Sequence, residues 1–172
     1  MPKLFSNPLR FFRPKREGRA EERPGGVLLL CTGNVCRSPM AEALMRGLLA
    51  HRAPGTRVES AGLGAPPGQP ADPHAVELMG ERGLDITGHR ARQVNAKLIA
   101  EFPLVLVMEE SQRALVGTRF RAARERTHRL GDWGNFEVPD PIGGDRLEFE
   151  RALVLIDQGI ADWLERLWPA AR

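Results

Sequence analysis

The chain has 172 residues, of which 42% are hydrophobic and 27% charged, an ordinary balance for one globular domain with a real core. Its formal charge of +3 is concentrated in residues 1–26, where seven Lys and Arg face three Glu to give +4, so the remainder sums to −1. A near-neutral body lacks the basic face of a nucleic-acid-binding domain, and no nucleic-acid partner is expected.

Residues 1–26 contain three prolines before position 20 and end in Pro24-Gly25-Gly26, so they read as a mostly disordered basic arm preceding a domain over 27–172. Leu4, Phe5, Leu9, Phe11 and Phe12 interleave with its basic residues. That fits either a weak membrane-surface or docking segment or a solvated tail with no partner. No run is long enough to span a membrane and no signal peptide lines up. With Cys31 and Cys36 as the only cysteines, a thiol-keeping, cytoplasmic compartment is expected.

From Val27 onward strands and helices alternate. VLLL (27–30) and PLVLVME (103–109) are short continuous apolar runs, as in strands buried on both faces of a parallel sheet; TRVESAG (56–62) and THRLGDW (127–133) are weaker strand candidates. Residues 39–50 repeat apolar groups at 40/44/48 and 41/45/49, which predicts a helix stopping at Pro54-Gly55. Asp72-Pro73 offers an N-cap with proline at the first helical position, and 145–168 places Phe149, Leu153, Ile156, Ile160, Leu164 and Leu167 on one face of a long C-terminal helix. The implied fold is an open α/β sheet with helices on both faces, whose sites form at the carboxyl ends of strands.

CTGNVCRS (31–38) occupies such an end. Gly33 and Asn34 are the residue types that most easily accept positive φ, which lets successive backbone N–H groups turn inward as an anion-binding nest. Ser38-Pro39 suits a helix N-terminus, whose dipole favours negative charge. Arg37 adds a fork of donors matched to phosphate oxygens. Thiols beside a helix N-terminus and a guanidinium ionise readily. The loop therefore reads as a thiolate, Cys31, aimed at the central atom of a bound oxyanion, a phosphoryl-transfer nucleophile. A zinc knuckle would need four ligands, which nearby His and Cys do not supply, and a nucleotide P-loop would need Gly-Lys-Ser/Thr. Cys36 reads as a buried small hydrophobe facing the core side. Asp140 opens Asp-Pro-Ile-Gly-Gly, which by itself is a good turn. His89 by itself reads equally well as a satisfied core histidine, and Trp163 and Trp168 as packing.

CTGNVCRSPMAEAL, ESAGLG (59–64), GHRARQ (88–93), LVLVMEE (104–110) and VPDPIGG (138–144) together resemble the low-molecular-weight protein tyrosine phosphatases, from Val27 to about Trp168. GDWGNFEVPDP is most similar to bacterial members that act beside tyrosine autokinases of exopolysaccharide and capsule export. The resemblance implies a four-stranded parallel sheet with the phosphate loop between the first strand and first helix, and an enzyme needing no metal or cofactor. By position, Cys31 forms a phosphocysteine, Arg37 holds the equatorial oxygens, and Asp140 protonates the leaving phenolate and later activates water. The backbone of Thr32, Gly33, Asn34, Val35, Cys36 and Arg37 completes the cradle, Ser38 bonds the thiolate, Asn34 braces the loop, and Ser60 and His89 stand behind it. A reversible Cys31–Cys36 disulfide is also implied. The implied partner is a tyrosine-phosphorylated protein such as a membrane tyrosine autokinase.

The match departs in one wall of the cleft. Ile142 stands where many members carry an aromatic, and Leu63, Ala65 and Pro66 are expected on the opposite wall. The Asp-Pro-x-Gly-Gly form also occurs in the branch that acts on phosphoarginine, which carries threonine at the position of Val35; an apolar Val35 favours an aromatic ring. An arsenate reductase on this scaffold would need further cysteines downstream of Cys36, and there are none. A non-catalytic phosphoprotein-binding module would have lost Cys31, Arg37 or Asp140, and all three are present.

Overall fold

The computed structural model describes residues 23–170. The arm expected over 1–26 lies outside them as far as residue 22. Four strands, β1 (Gly26–Cys31), β2 (Arg57–Gly62), β3 (Leu104–Val107) and β4 (Thr127–Arg129), form one parallel sheet in the order β2-β1-β3-β4. The helices are α1 (Arg37–Arg52), α2 (Pro73–Glu81), α3 (Ala96–Ala100), α4 (Glu110–Arg119) and α5 (Arg146–Leu167). The fold class is as the alternation predicts.

Both apolar runs are central strands, and the two-residue period of β1 divides the core. Val27, Leu29 and Cys31 face a cluster built with α1, α2 and α5, while Leu28 and Leu30 face a second one with Ile99, Phe102, Val105, Val107 and Val116. On α5, Phe149, Leu153, Ile156, Ile160, Trp163 and Leu164 are buried, each apolar side chain contributing about 1.5–3 kcal/mol of transfer free energy. Trp163 also donates from its indole N–H to Leu130 O at 3.0 Å. At Gly159 a Cβ would stand 2.6 Å from Leu130 Cγ. Only glycine lets α5 lie that near the loop after β4.

Several boundaries differ from the sequence expectation. Leu48 is exposed, because the buried stripe of α1 centres on Met40, Ala41, Leu44, Met45 and Leu49. Leu167 is only half-buried on the end of α5. β4 stops at Arg129, where the chain enters the tight GDWGNF loop closed by Phe136 N–H to Gly131 O at 3.1 Å. Helix α4 escapes the apolar pattern because only Gln112 and Val116 along it are buried. It is started instead by a capping box between Glu109 and Gln112.

The outer edge of β2 is guarded by arginine. Arg46 donates to Val58 O at 3.1 Å and Arg92 to Ser60 O at 2.9 Å, occupying carbonyls that an added strand would use. Among the described residues no helix is long and apolar enough to cross a membrane.

Candidate active site

The site begins where β1 ends. Cys31 is buried, and the chain turns through 32–36 into α1. The left-handed turn falls at Asn34, with φ +54°, and not at Gly33. Asparagine tolerates this conformation, and here its fully buried amide is used at every atom. Nδ2 donates to Ser38 Oγ and Ser60 Oγ, both at 2.9 Å, and Oδ1 accepts from Arg92 N–H at 3.0 Å. Its backbone carbonyl accepts from His89 Nε2 at 2.7 Å, which fixes that nitrogen as the donor. Its backbone N–H points at Cys31 Sγ, 3.3 Å away.

Ser38 does not cap the helix. Helix α1 begins one residue earlier, after Cys36, without a side-chain cap. The Ser38 hydroxyl turns back instead to Cys31 Sγ at 3.0 Å. The Asn34 N–H and the Ser38 hydroxyl thus both lie within hydrogen-bond distance of the sulfur, one from the loop and one from the first turn of α1.

Arg37, 1% exposed, carries the only full positive charge on this stretch. Its Nη1 donates to Glu109 Oε1 and to Val138 O, the latter at 2.8 Å, and Nη2 pairs with Asp140 Oδ2 at 2.9 Å. Among the described residues its Nε has no partner. A guanidinium this deep is tolerated only because carboxylates neutralise it, since an unpaired buried charge costs several kcal/mol. Glu109 was not singled out from the sequence, nor was Gln112. Gln112 Oε1 accepts from Met108 N–H at 2.9 Å and Glu109 N–H at 3.2 Å, while its Nε2 donates to Thr32 Oγ1 at 3.2 Å. One buried amide therefore joins the nucleophile loop to the strand end that aims Glu109 at Arg37. Both residues follow β3 at its carboxyl end, and that position was the available signal.

Asp140 lies on the turn before α5, with Oδ1 accepting from Ile142 N–H at 3.3 Å and the chain reversing through Gly143 at φ +74°. It is both a turn residue and a cleft residue. Cys31, Val35, Cys36, Pro66, Gln69, Asp140 and Ile142 surround a cleft of about 250 Å³. Leu63, expected as a wall, is buried in the second core, because the β2 end carries it inward. Ala65 is likewise absent from the lining, and Gln69 supplies the wall beside Pro66. A larger concavity of about 610 Å³ at the edge of β2 is lined by Glu42, Arg46, Arg57, Glu59 and Arg92 and contains no thiol. Cys31 and Asp140 both line the smaller one.

Both cysteines are free thiols. Burial pushes the Cys36 thiol well above its usual range, and the nearby charges of Asp72, Asp140 and Cys31 push it further. Cys36 stays protonated at neutral pH, which makes it a slow nucleophile. Among the described residues no three His, Cys, Asp or Glu side chains converge as a metal site.

A thiol and a half-exposed carboxylate line one cleft at a strand-to-helix turn, with a buried guanidinium paired to that carboxylate, a set that suits an α/β phosphohydrolase. The sequence profile described as "Low molecular weight phosphotyrosine protein phosphatase" matches residues 26–170, and the chain belongs to that family. It is 43% identical over 141 residues to the "Probable low molecular weight protein-tyrosine-phosphatase EpsP" of Ralstonia nicotianae, covering 82% of this chain and 94% of that protein. Among solved structures, Vibrio vulnificus Wzb in complex with benzylphosphonate superimposes with a TM-score of 0.77 at 33% identity, covering 83% of this chain and 98% of that one. The YwlE arginine phosphatase from Geobacillus stearothermophilus superimposes with a TM-score of 0.76 at 32% identity, covering 83% and 92%.

Proposed function

We propose that the protein removes phosphate from tyrosine side chains of proteins through a phosphocysteine on Cys31. In the first step Cys31 Sγ attacks phosphorus, the S–P bond forms as the P–O bond to the phenol breaks, and Asp140 gives its proton to the leaving oxygen. In the second step Asp140 takes a proton from water, the water oxygen attacks phosphorus, and the sulfur leaves as thiolate with Ser38 donating to it. Arg37 and the N–H groups of 32–37 hold the equatorial oxygens, which places fixed donors where negative charge gathers. One carboxyl serving as acid and then as base is ordinary proton-transfer logic. The observation that carries this reading is the pairing of Asp140 with Arg37 at 2.9 Å over a cleft that also contains Cys31.

Phosphoarginine is the second reading, favoured by the similarity to an arginine phosphatase. Val35 in the cleft lining supports the aromatic substrate, since its apolar surface suits a ring better than a polar guanidino group. The benzylphosphonate held by the Vibrio relative, an aromatic phosphonate, supports the same choice. Matched phosphotyrosine and phosphoarginine peptides should differ in kcat/KM by at least about tenfold in favour of phosphotyrosine. A preference for phosphoarginine would keep the mechanism and overturn the substrate.

The substrate we infer is a bacterial tyrosine kinase of polysaccharide export, on the strength of the GDWGNFEVPDP resemblance. Residues 1–26, with net charge +4, would bring the enzyme to an anionic membrane surface or to acidic segments of that kinase. Removing them is expected to weaken binding to anionic vesicles or turnover of the phosphorylated kinase, and to leave turnover of a small aryl phosphate unchanged. No change in the first two assays would remove the arm from the mechanism.

A further inference from the structure

Asp140 lines two cavities. One is the cleft that contains Cys31 and Ile142, and the other is a groove of about 230 Å³ on the α5 side of the Asp140-Pro141 turn. Pro139, Pro141, Ala152 and Leu155 make the groove apolar, and Glu148 and Arg151 stand along it. Its helical residues fall at i, i+3, i+4 and i+7, one face of α5. Leu155 sits at the margin of the main core, half-buried, and also lines the groove. Of the six large apolar side chains exposed among the described residues, Ile142 lies on this turn and Leu147 and Val154 lie on α5, so apolar surface continues from the cleft along the helix.

Both walls are held in place. Arg146, at the start of α5, pairs with Glu77 and Glu81 of α2 and with Glu150. Across the groove, Ile142 N–H donates to Asp140 Oδ1 at 3.3 Å and Gly144 N–H to Pro141 O at 2.9 Å, which keeps the turn closed. The groove is formed before anything enters it, and a ligand is spared the cost of ordering it. Arg146 takes up three glutamates, whereas Arg151 makes no ion pair among the described residues. The Arg151 guanidinium is therefore free to donate to an incoming chain while its stem covers apolar surface.

We propose that this groove is a specificity subsite: a protein substrate with its phosphotyrosine in the Cys31 cleft crosses the Asp140-Pro141 turn and seats an apolar side chain, from a residue a few positions away, against Pro139, Ala152 and Leu155. This rests on the phosphotyrosine reading of the cleft. Continuity decides the occupant. Asp140 borders both cavities, so a polypeptide held in the cleft passes the groove as it leaves, with Arg151 beside its backbone. A small aryl phosphate reaches the cleft alone. Its turnover reports the chemistry, and the ratio of peptide to aryl phosphate reports the groove.

The test walks a single leucine through the positions on either side of phosphotyrosine in an otherwise alanine- and serine-based peptide. The readout is kcat/KM for each peptide divided by that for an aryl phosphate. One position is expected to raise this ratio about tenfold over alanine, the gain appropriate to burying most of a leucine side chain. Leu155→Gln should abolish the gain and Arg151→Ala should reduce it, mainly through KM, with thermal unfolding showing that both variants are folded. Lys97→Ala, on α3, should keep it. Independently, a peptide with a diazirine leucine at that position, held by Cys31→Ser, should on irradiation label the tryptic peptide 152–166. A ratio that no leucine changes, the full gain surviving in Leu155→Gln, or label confined to other peptides would overturn the proposal. Self-association that Leu155→Gln dissolves, without any leucine effect, would overturn it in favour of a second copy of the chain. Turnover of phosphoarginine peptides and of no phosphotyrosine peptide would overturn the substrate reading and this subsite with it, whereas leucine-independent phosphotyrosine turnover overturns the subsite alone.

Discussion

Cys31→Ser is expected to reduce turnover of an aryl phosphate by about 10⁴-fold or more while the protein stays folded. The sulfur sits 3.3 Å from Asn34 N–H and 3.0 Å from the Ser38 hydroxyl. These donors favour an anion that a serine oxygen does not supply at neutral pH, because an alcohol ionises far less readily than a thiol. The substitution also removes little buried volume at a position 2% exposed, so thermal unfolding should change only slightly. Arg37 and the loop N–H groups are untouched, and inorganic phosphate should still protect the variant against heat. Steady-state turnover within tenfold of wild type, in protein shown to be free of wild-type contamination, would remove Cys31 from the nucleophile's role.

The parts of this site that are contiguous in the chain were legible before the structure. Cys31, Asn34, Arg37 and Ser38 fall within eight residues of a strand-to-helix joint, where spacing alone states who can meet whom. Long-range partners were legible only by resemblance: nothing in the local pattern of Ser60 or His89 says that both reach Asn34. Glu109 and Gln112 escaped because the run after β3 has no apolar stripe, and a polar helix start looks like a loop. Their importance depends on where β3 ends relative to Arg37, a distance set by the register Leu30↔Val107 and not by sequence neighbours. Gly33 shows the opposite failure. It has the composition for a left-handed turn, yet the turn is taken by Asn34, whose side chain makes three hydrogen bonds that a glycine could not. The sheet itself was simpler, since β1 and β3 are buried on both faces and read as unbroken apolar runs.

Asp140→Asn is expected to lower kcat by about 10²–10⁴-fold on a phosphate ester with a poor leaving group, the range for loss of a positioned acid. The structure pairs this carboxylate with Arg37 Nη2 at 2.9 Å, while its other oxygen takes an N–H from Ile142. In the proposed mechanism this carboxyl gives a proton to the phenolate in the first step and takes one from water in the second. A phosphate dianion entering the cradle competes with it for the guanidinium and frees the carboxyl to face the leaving group. The loss on substitution should therefore depend on the ester. A series of aryl phosphates graded by the acidity of the leaving phenol should show the largest deficit for the least acidic phenol and a much smaller one for the most acidic. Inhibition by inorganic phosphate should meanwhile tighten, because asparagine presents no charge to Arg37. A deficit of the same size across the series would mean that Asp140 serves to orient Arg37 and that the proton comes from elsewhere.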